Sequence, residues 1–196
     1  MSSTSEKSSK TSKSLIQRAA QNEPYAWEQF VDLYAPLVHT WISQRRIEPN
    51  AAADIVQDVF SSVHRSLARF SHSGGTFRGW LWTITRNKIL DHARRESKQP
   101  HATGGSTAMC AIGNLIDESE LPETEPTSDH QHAELIHRAV AQVQGEFAPK
   151  TWQAFWRTTV DGIRTDVVAE ELTMTPVAVR QSKSRVLRRL RRQLGD

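Results

Sequence analysis

A single cysteine, Cys110, stands in the 196 residues. No internal disulfide can therefore form, and no CxxC pair or Cys/His ligand series is present to hold a metal. A secreted, disulfide-stapled domain is excluded, and a reducing cytosol is the expected compartment. No run comes near the roughly 18 apolar residues that a membrane span needs. The opening MSSTSEKSSKTSKS is rich in Ser, Thr and Lys and has no apolar stretch, so neither a span nor a signal peptide is expected. Strand-like alternation of apolar and polar residues is missing, as is any repeat with a period of about 20–50 residues, which argues against a sheet protein or a solenoid. The formal net charge is only +3, from 25 Lys and Arg against 22 Asp and Glu, so the distribution of charge carries more information than its sum. With 37% hydrophobic residues, six Trp and six Phe, the chain can bury a core. At this length it makes one ordinary domain or two small ones, not a large multidomain enzyme.

The chain divides by composition. Residues 1–14 have no apolar periodicity and read as a flexible, disordered tail. Residues 15–97 repeat apolar and aromatic residues at helical spacing, broken at Glu48-Pro49-Asn50 and at Ser71-His72-Ser73-Gly74-Gly75. Residues 98–131 are punctuated by Pro100, Gly104, Gly105, Pro122 and Pro126, and carry Asp117, Glu118, Glu120, Glu123, Glu125 and Asp129 without a base from Asn114 onward. That stretch reads as a flexible acidic linker. The helical pattern resumes over 132–196 and ends strongly basic. The expected class is all-α: two small helical domains, each with an excess of bases, on either side of an acidic tether.

In the second domain Thr165 is expected to cap the short helix DVVAEEL, with Val167, Val168, Ala169 and Leu172 inward and Asp166 in the first turn, where it suits the helix dipole. After the break at Thr173-Met174, Thr175 and Pro176 supply an N-cap and a first-turn proline for a second helix. Two helices joined by about three residues make a helix-turn-helix. Val179, Val186, Leu187, Leu190 and Leu194 form the inward stripe of the second helix, and Arg180, Gln181, Ser184, Arg185 and Arg188 fall on the opposite side. A helix with seven bases and no acid between Pro176 and Leu194 could set Arg and Gln against base edges in a major groove, with Arg191 and Arg192 on phosphates. A solvated basic face is the bland alternative, and the capped turn just before it favours nucleic acid.

In the first domain Asn50 is expected to cap a helix from Ala51 to Phe70, with Ile55, Val56, Val59, Phe60, Val63, Leu67 and Phe70 on one face and Asp54, Gln57, Asp58 and Ser61 on the other. Asp54 and Asp58 stand one turn apart and repel, so a basic partner would relieve them. Thr76 caps a further helix, FRGWLWTITRNKILDHARRES, in which Trp80, Trp82 and other apolar residues alternate with Arg78, Arg86, Asn87, Lys88, His92, Arg94 and Arg95. Aromatics interleaved with cations can hold unstacked bases and their phosphates. Each Trp taken singly is as well explained by packing, Trp82 more so than Trp80.

AAADIVQDVF followed by FRGWLWTITRNKILDHARRE resembles region 2 of the extracytoplasmic-function (ECF, group 4) bacterial sigma factors of the sigma-70 family, and DGIRTDVVAEELTMTPVAVRQSKSRVLRRLRRQL resembles their region 4. The two stretches come in the order and spacing of that family and together span about 150 residues. The resemblance implies a dissociable specificity subunit of bacterial core RNA polymerase that directs transcription initiation at promoter DNA, with no cofactor and no catalysis of its own. It implies that Asp54, Gln57 and Asp58 dock on the polymerase clamp. Trp80, Arg86, Asn87, Lys88 and Arg95, with the loop 71–76, would recognise and melt the −10 element, capturing a base from the duplex. Thr175, Arg180, Gln181, Ser184, Arg185 and Arg188 would belong to the −35 reader. An anti-sigma factor is a further implied partner, and the acidic linker would thread the RNA exit path. Val177-Ala178 and Ser182 depart from the usual pattern, which has Gly-Thr and Arg there, as does Asp166, where Glu is usual.

Two other classes bear comparison. A stand-alone helix-turn-helix regulator would use the second domain alone and has no use for the Asp54/Asp58 face or the Trp-rich helix. An enzyme would have to draw on His130, His132 and His137, or on Cys110 with His101. The first set lacks a carboxylate or thiolate at ligand spacing, and Cys110 lies in a segment that cannot fix a base beside it.

Overall fold

The computed structural model describes residues 13–45, 47–98 and 121–195. Residues 1–12 of the expected tail and 99–120 of the expected linker, with His101 and Cys110, lie outside the described residues. Among the described residues there is no strand, and eight α-helices follow one another: α1 (Leu15–Ala20), α2 (Ala26–Ser43), α3 (Pro49–Ser66), α4 (Phe77–Lys98), α5 (Asp129–Gln144), α6 (Pro149–Thr159), α7 (Thr165–Glu171) and α8 (Pro176–Leu194). The all-α class read from periodicity is the class observed. Contacts divide the chain into two compact units, one of residues Phe30–His132 and one of Met1–Gln29 with Ala133–Asp196. The helix α1, placed with the first domain by sequence continuity, therefore groups with the C-terminal helices.

In the unit Phe30–His132, α3 packs along α4. The centre is aromatic. Phe77, fully buried at the start of α4, touches Phe30, Tyr34, Phe70 and Trp80 with ring centroids 5.1–5.6 Å apart. Three of these contacts are edge-on and the fourth is tilted, arrangements that suit the ring quadrupoles. Trp82, also buried, meets Trp41 edge-to-face at 5.5 Å.

The ends of these helices follow from local chemistry. Sequence pattern favoured Asn50 as the cap of α3, but the cap is Glu48, whose carboxylate accepts from the Asn50 and Ala51 N–H groups at 2.9 and 3.1 Å. Pro49 can then take the first helical position, where its missing N–H costs nothing. The helix stops at Ser66 instead of running to Phe70. There the Ser66 hydroxyl donates back to the Ser62 carbonyl at 2.7 Å, and the chain tightens into the short 3₁₀ turn Leu67–Arg69. Thr76 does cap α4, its hydroxyl accepting from the Gly79 N–H at 3.1 Å.

The end of the acidic stretch is packed. Leu121 is buried, the Trp82 indole N–H donates to the Pro122 carbonyl at 3.0 Å, and Arg78 pairs with Glu125 at 3.2 Å and donates to His132 Nδ1. Residues 121–127 thus complete the surface of α4. The next helix begins at Asp129, three residues before the expected boundary at 132, because Ser128 and Gln131 satisfy each other's backbone N–H groups as a capping box.

In the other unit α8 packs on α6 and α7, and α1 packs on α8. Ala154, Val168, Ala169 and Val179 form the buried junction of α6, α7 and α8, with Ile163, Leu172 and Met174 packed around it. The link from α7 to α8 is a Schellman turn: Met174 N–H donates to the Ala169 carbonyl at 2.8 Å and Thr173 N–H to the Glu170 carbonyl at 3.2 Å. Thr173 occupies its left-handed position at φ 53°. The same turn after α1 uses Asn22, and α8 ends on Gly195, two residue types that tolerate this conformation. A β-branched threonine does not. Thr173→Gly is therefore expected to stabilise the chain by about 1 kcal/mol, seen as a higher denaturation midpoint in urea with an unchanged slope. A lowered midpoint would show that the threonine side chain has a stabilising contact of its own.

Candidate nucleic-acid interface

Helix α8 has two sharply different arcs. Val179, Ser182, Val186, Arg189, Leu190 and Gln193 are buried. At about 100° per residue they fall within roughly a third of the circumference. Leu187 and Leu194, expected on the inward stripe, are half-buried at its border. On the far side Val177, Arg180, Gln181, Ser184, Arg185 and Arg188 are all exposed and together line one open concave face. Five of these six are the residues expected there. The sixth, Val177, was missed, although its spacing three and four residues before Arg180 and Gln181 would have put it on that arc. Thr175 stands at the start of this face as the N-cap, its hydroxyl accepting from the Ala178 N–H at 3.1 Å.

Counting bases along α8 overstates the exposed charge. Arg189 is 6% exposed and forks onto Glu146 through two bonds of 2.6 and 2.7 Å, with a third to Gln193 Oε1 at 2.6 Å. Gln193 in turn donates to Gln142 Oε1 at 2.6 Å, and Gln142 donates to the Gln29 carbonyl at 2.9 Å. The chain of bonds leaves the guanidinium satisfied where solvent cannot reach it.

Helix α7 precedes this face. Thr165 is its first residue, not its cap; Arg164 takes the cap position without a side-chain bond there. The reason lies in Asp166, whose carboxylate accepts from the Val167 N–H at 3.1 Å and from the Arg164 guanidinium, bringing Arg164 back over the helix start. The Arg164 hydrogen bond holds the Asp166 carboxyl below its ordinary range, so the pair is intact at neutral pH and is lost only as pH falls through that lowered value. Val168 and Ala169 point inward as expected, Leu172 is half-buried, and Val167 is exposed at 42%.

On α4 the expected residues separate. Trp80 is half-buried, tilted against Phe70 and Phe77 at 5.1 and 5.5 Å, with part of its indole still accessible. Asn87 and Arg95 are exposed and Lys88 is half-buried. By helical rotation these three lie within about 100° of Trp80, whereas Arg86, also half-buried, is turned about 120° from it. Trp82 belongs wholly to the core. Arg78, threaded among the aromatics, is committed to Glu125 and His132. On α3, Asp54 and Gln57 are exposed and Asp58 half-exposed. Asp58 meets Arg95 at 3.5 Å, so part of the basic relief that the Asp54/Asp58 repulsion calls for comes from within the same unit. With both side chains at least half in water, the pair contributes little to stability.

No three His, Cys, Asp or Glu side chains among the described residues are grouped so as to hold a metal ion. No described helix is long and apolar enough to cross a membrane.

These features define a helical protein with a helix-turn-helix whose second helix presents an exposed basic face, and with an aromatic and acidic bundle in the other unit. Residues 30–99 match the family described as Sigma-70 region 2. The chain is 24% identical over 182 residues to the ECF RNA polymerase sigma factor BldN of Streptomyces coelicolor, covering 93% of this chain and 65% of the relative. It is 23% identical over 185 residues to the ECF RNA polymerase sigma factor SigK of Mycolicibacterium vanbaalenii, covering 92% and 88%, and 26% identical over 186 residues to the ECF RNA polymerase sigma factor ShbA of Streptomyces griseus, covering 90% and 92%. The chain thus spans under two thirds of the first relative's length. Residues 30–99 thus carry a Sigma-70 region 2 domain, and over most of its length the chain is similar to ECF RNA polymerase sigma factors.

Two neighbouring arginines on α8 separate stability from binding. Arg189→Ala should cost about 1–3 kcal/mol by leaving the buried Gln193 Oε1 without its partner, read as a drop in thermal midpoint. Arg188→Ala should leave the midpoint unchanged and weaken duplex binding. Equal midpoints for the two variants would contradict the assignment of Arg189 to the interior.

Proposed function

We propose that the chain is a transcription initiation factor that binds core RNA polymerase and directs it to promoters, reading a −35 element with α8 and recognising and melting a −10 element with α4. The observation that carries this reading is the exposed face of α8, where three arginines, a glutamine and a serine converge on the side away from the core. That face has the donors and acceptors needed for base edges and the charge needed for phosphates.

On α4, Trp80, Asn87, Lys88 and Arg95 supply an aromatic platform, an amide and two cations along one side of a helix, a set suited to an opened strand. Arg86, on another side of the helix, would reach the sugar-phosphate backbone rather than the same base. Asp54, Gln57 and Asp58 form the surface for the polymerase. The pair of Asp58 with Arg95 at 3.5 Å is solvent-exposed and weak, so it holds neither side chain back from its own partner. An anti-sigma factor could hold the factor inactive by covering either surface. The place of action is the cytoplasm, and the chain performs no catalysis itself.

The test is run-off transcription with purified core polymerase on genomic templates, together with co-purification. The wild-type chain should co-migrate with core polymerase and give promoter-selective transcripts that weaken steeply with salt. Asp54→Arg with Asp58→Arg should abolish co-migration while leaving the helical circular-dichroism signal unchanged. Specific duplex binding without polymerase, unaffected by that double substitution, would instead identify a stand-alone regulator.

A further inference from the structure

We propose that Val177 is a specificity-determining residue that reads the C5-methyl group of a thymine in the duplex bound by α8. The inference rests on the proposal that α8 reads promoter DNA and goes one residue further into how.

Val177 is 53% exposed. It is not part of the hydrophobic junction beneath the helix, which is filled by Ala154, Val168, Ala169 and Val179 with Leu172 and Met174 around them. It lines the same concave face as Arg180, Gln181, Ser184, Arg185 and Arg188, and it is the one apolar side chain of the six. The position is the second residue of α8, directly after Pro176, with the Thr175 hydroxyl bonded to the Ala178 N–H to hold the first turn in place. The N-terminal residues of a helix laid in the major groove are those that meet base edges.

An isopropyl group there can neither donate nor accept a hydrogen bond. The major-groove edges of the four base pairs carry donors, acceptors and a single kind of apolar group, the thymine methyl. Valine in a helix holds one side-chain rotamer almost exclusively, so its methyl groups are fixed before binding and lose little entropy on contact. A helix advances about 1.5 Å per residue, which puts Val177 about 6 Å from Gln181 along the axis, less than two base-pair steps. The thymine read by Val177 therefore lies within about two base pairs of the pair contacted by Arg180 or Gln181.

The experiment uses the full chain bound to core polymerase and a −35 duplex drawn from the genomic fragments that this complex selects. Each thymine is replaced in turn by deoxyuracil, which removes the C5-methyl and nothing else. For the wild-type chain, one replacement should weaken binding about fourfold, the worth of burying one methyl group. Val177→Ala should lose about the same factor on the unmodified duplex and nothing further from that replacement. Val177→Thr, which keeps a branched methyl, should still distinguish thymine from uracil. An equal penalty from uracil in wild type and Val177→Ala, or a selected duplex with no thymine in the stated interval, would overturn the assignment while leaving duplex reading by α8 intact. That would include the case in which Val177 instead packs on the polymerase. If the wild-type complex shows no preference among duplexes at all, the failure is of the reading by α8 itself, and it is seen before any uracil is introduced.

Discussion

The bidentate bond from Arg189 to Glu146 lets the most basic helix of the chain bury a cation on its inward side. Helix α8 has seven bases and no acid, and all but Arg189 lie outside its buried arc. Four apolar or small residues, Val179, Ser182, Val186 and Leu190, define an inward arc, but that arc is narrow for a helix of 19 residues. Arg189 and Gln193 extend it toward the C-terminus only because Glu146 and Gln142 complete their hydrogen bonds. Without those partners Arg189 would have to be hydrated, and a roll that exposed it would turn Arg180, about 180° round the axis from it, toward the interior. The orientation of the exposed basic face thus depends on the apolar arc and on one satisfied buried cation together.

A comparable constraint orders the other unit. Phe77 is both the first residue of α4 and the hub of four ring contacts, so the point where the helix begins is pinned from several directions. Trp80, one turn on, inherits that position: its ring rests on Phe70 and Phe77 and cannot swing freely, yet one edge stays in contact with solvent. For the base platform proposed for Trp80 such rigidity is an advantage, because little freedom is left to lose on binding. Residues 121–127 work on the same helix through Pro122 and Glu125, anchoring Trp82 and Arg78 so that the outward side of α4 is what remains available.

Much of this was legible in the sequence because helical periodicity is a strong signal and caps are local. The all-α class, the Thr76 and Thr175 caps, the inward set Val179, Val186 and Leu190 and the outward set from Arg180 to Arg188 all follow from spacing and side-chain type. What could not be read depended on partners distant in the chain. Arg189 looks like any other base until Glu146, 43 residues away, is brought beneath it. Residues 121–127 look like linker by their prolines and acids, and only the Trp82 indole and Arg78 give them a place. The cap at Glu48 was missed for a local reason: glutamate is an uncommon cap, and it serves here because Pro49 removes the competing donor. Val177 was overlooked because an exposed valine is by itself unremarked; its meaning comes from the polar residues that share its face.

The strained turn between α7 and α8 fits the same logic. A threonine in the left-handed region is costly by about 1–2 kcal/mol and persists only where the surroundings over-determine the backbone. They do so here. Two Schellman hydrogen bonds close the turn, Leu172 and Met174 pack on either side of Thr173, and Val168, Ala169 and Val179 are locked into one cluster with Ala154. The angle between the two helices is consequently set by their buried residues and not by the conformational preference of the turn. It follows that the direction in which α8 presents Val177 and Arg180 is insensitive to the identity of residue 173, and that side chains on the outward arc can vary without disturbing how the helix is held.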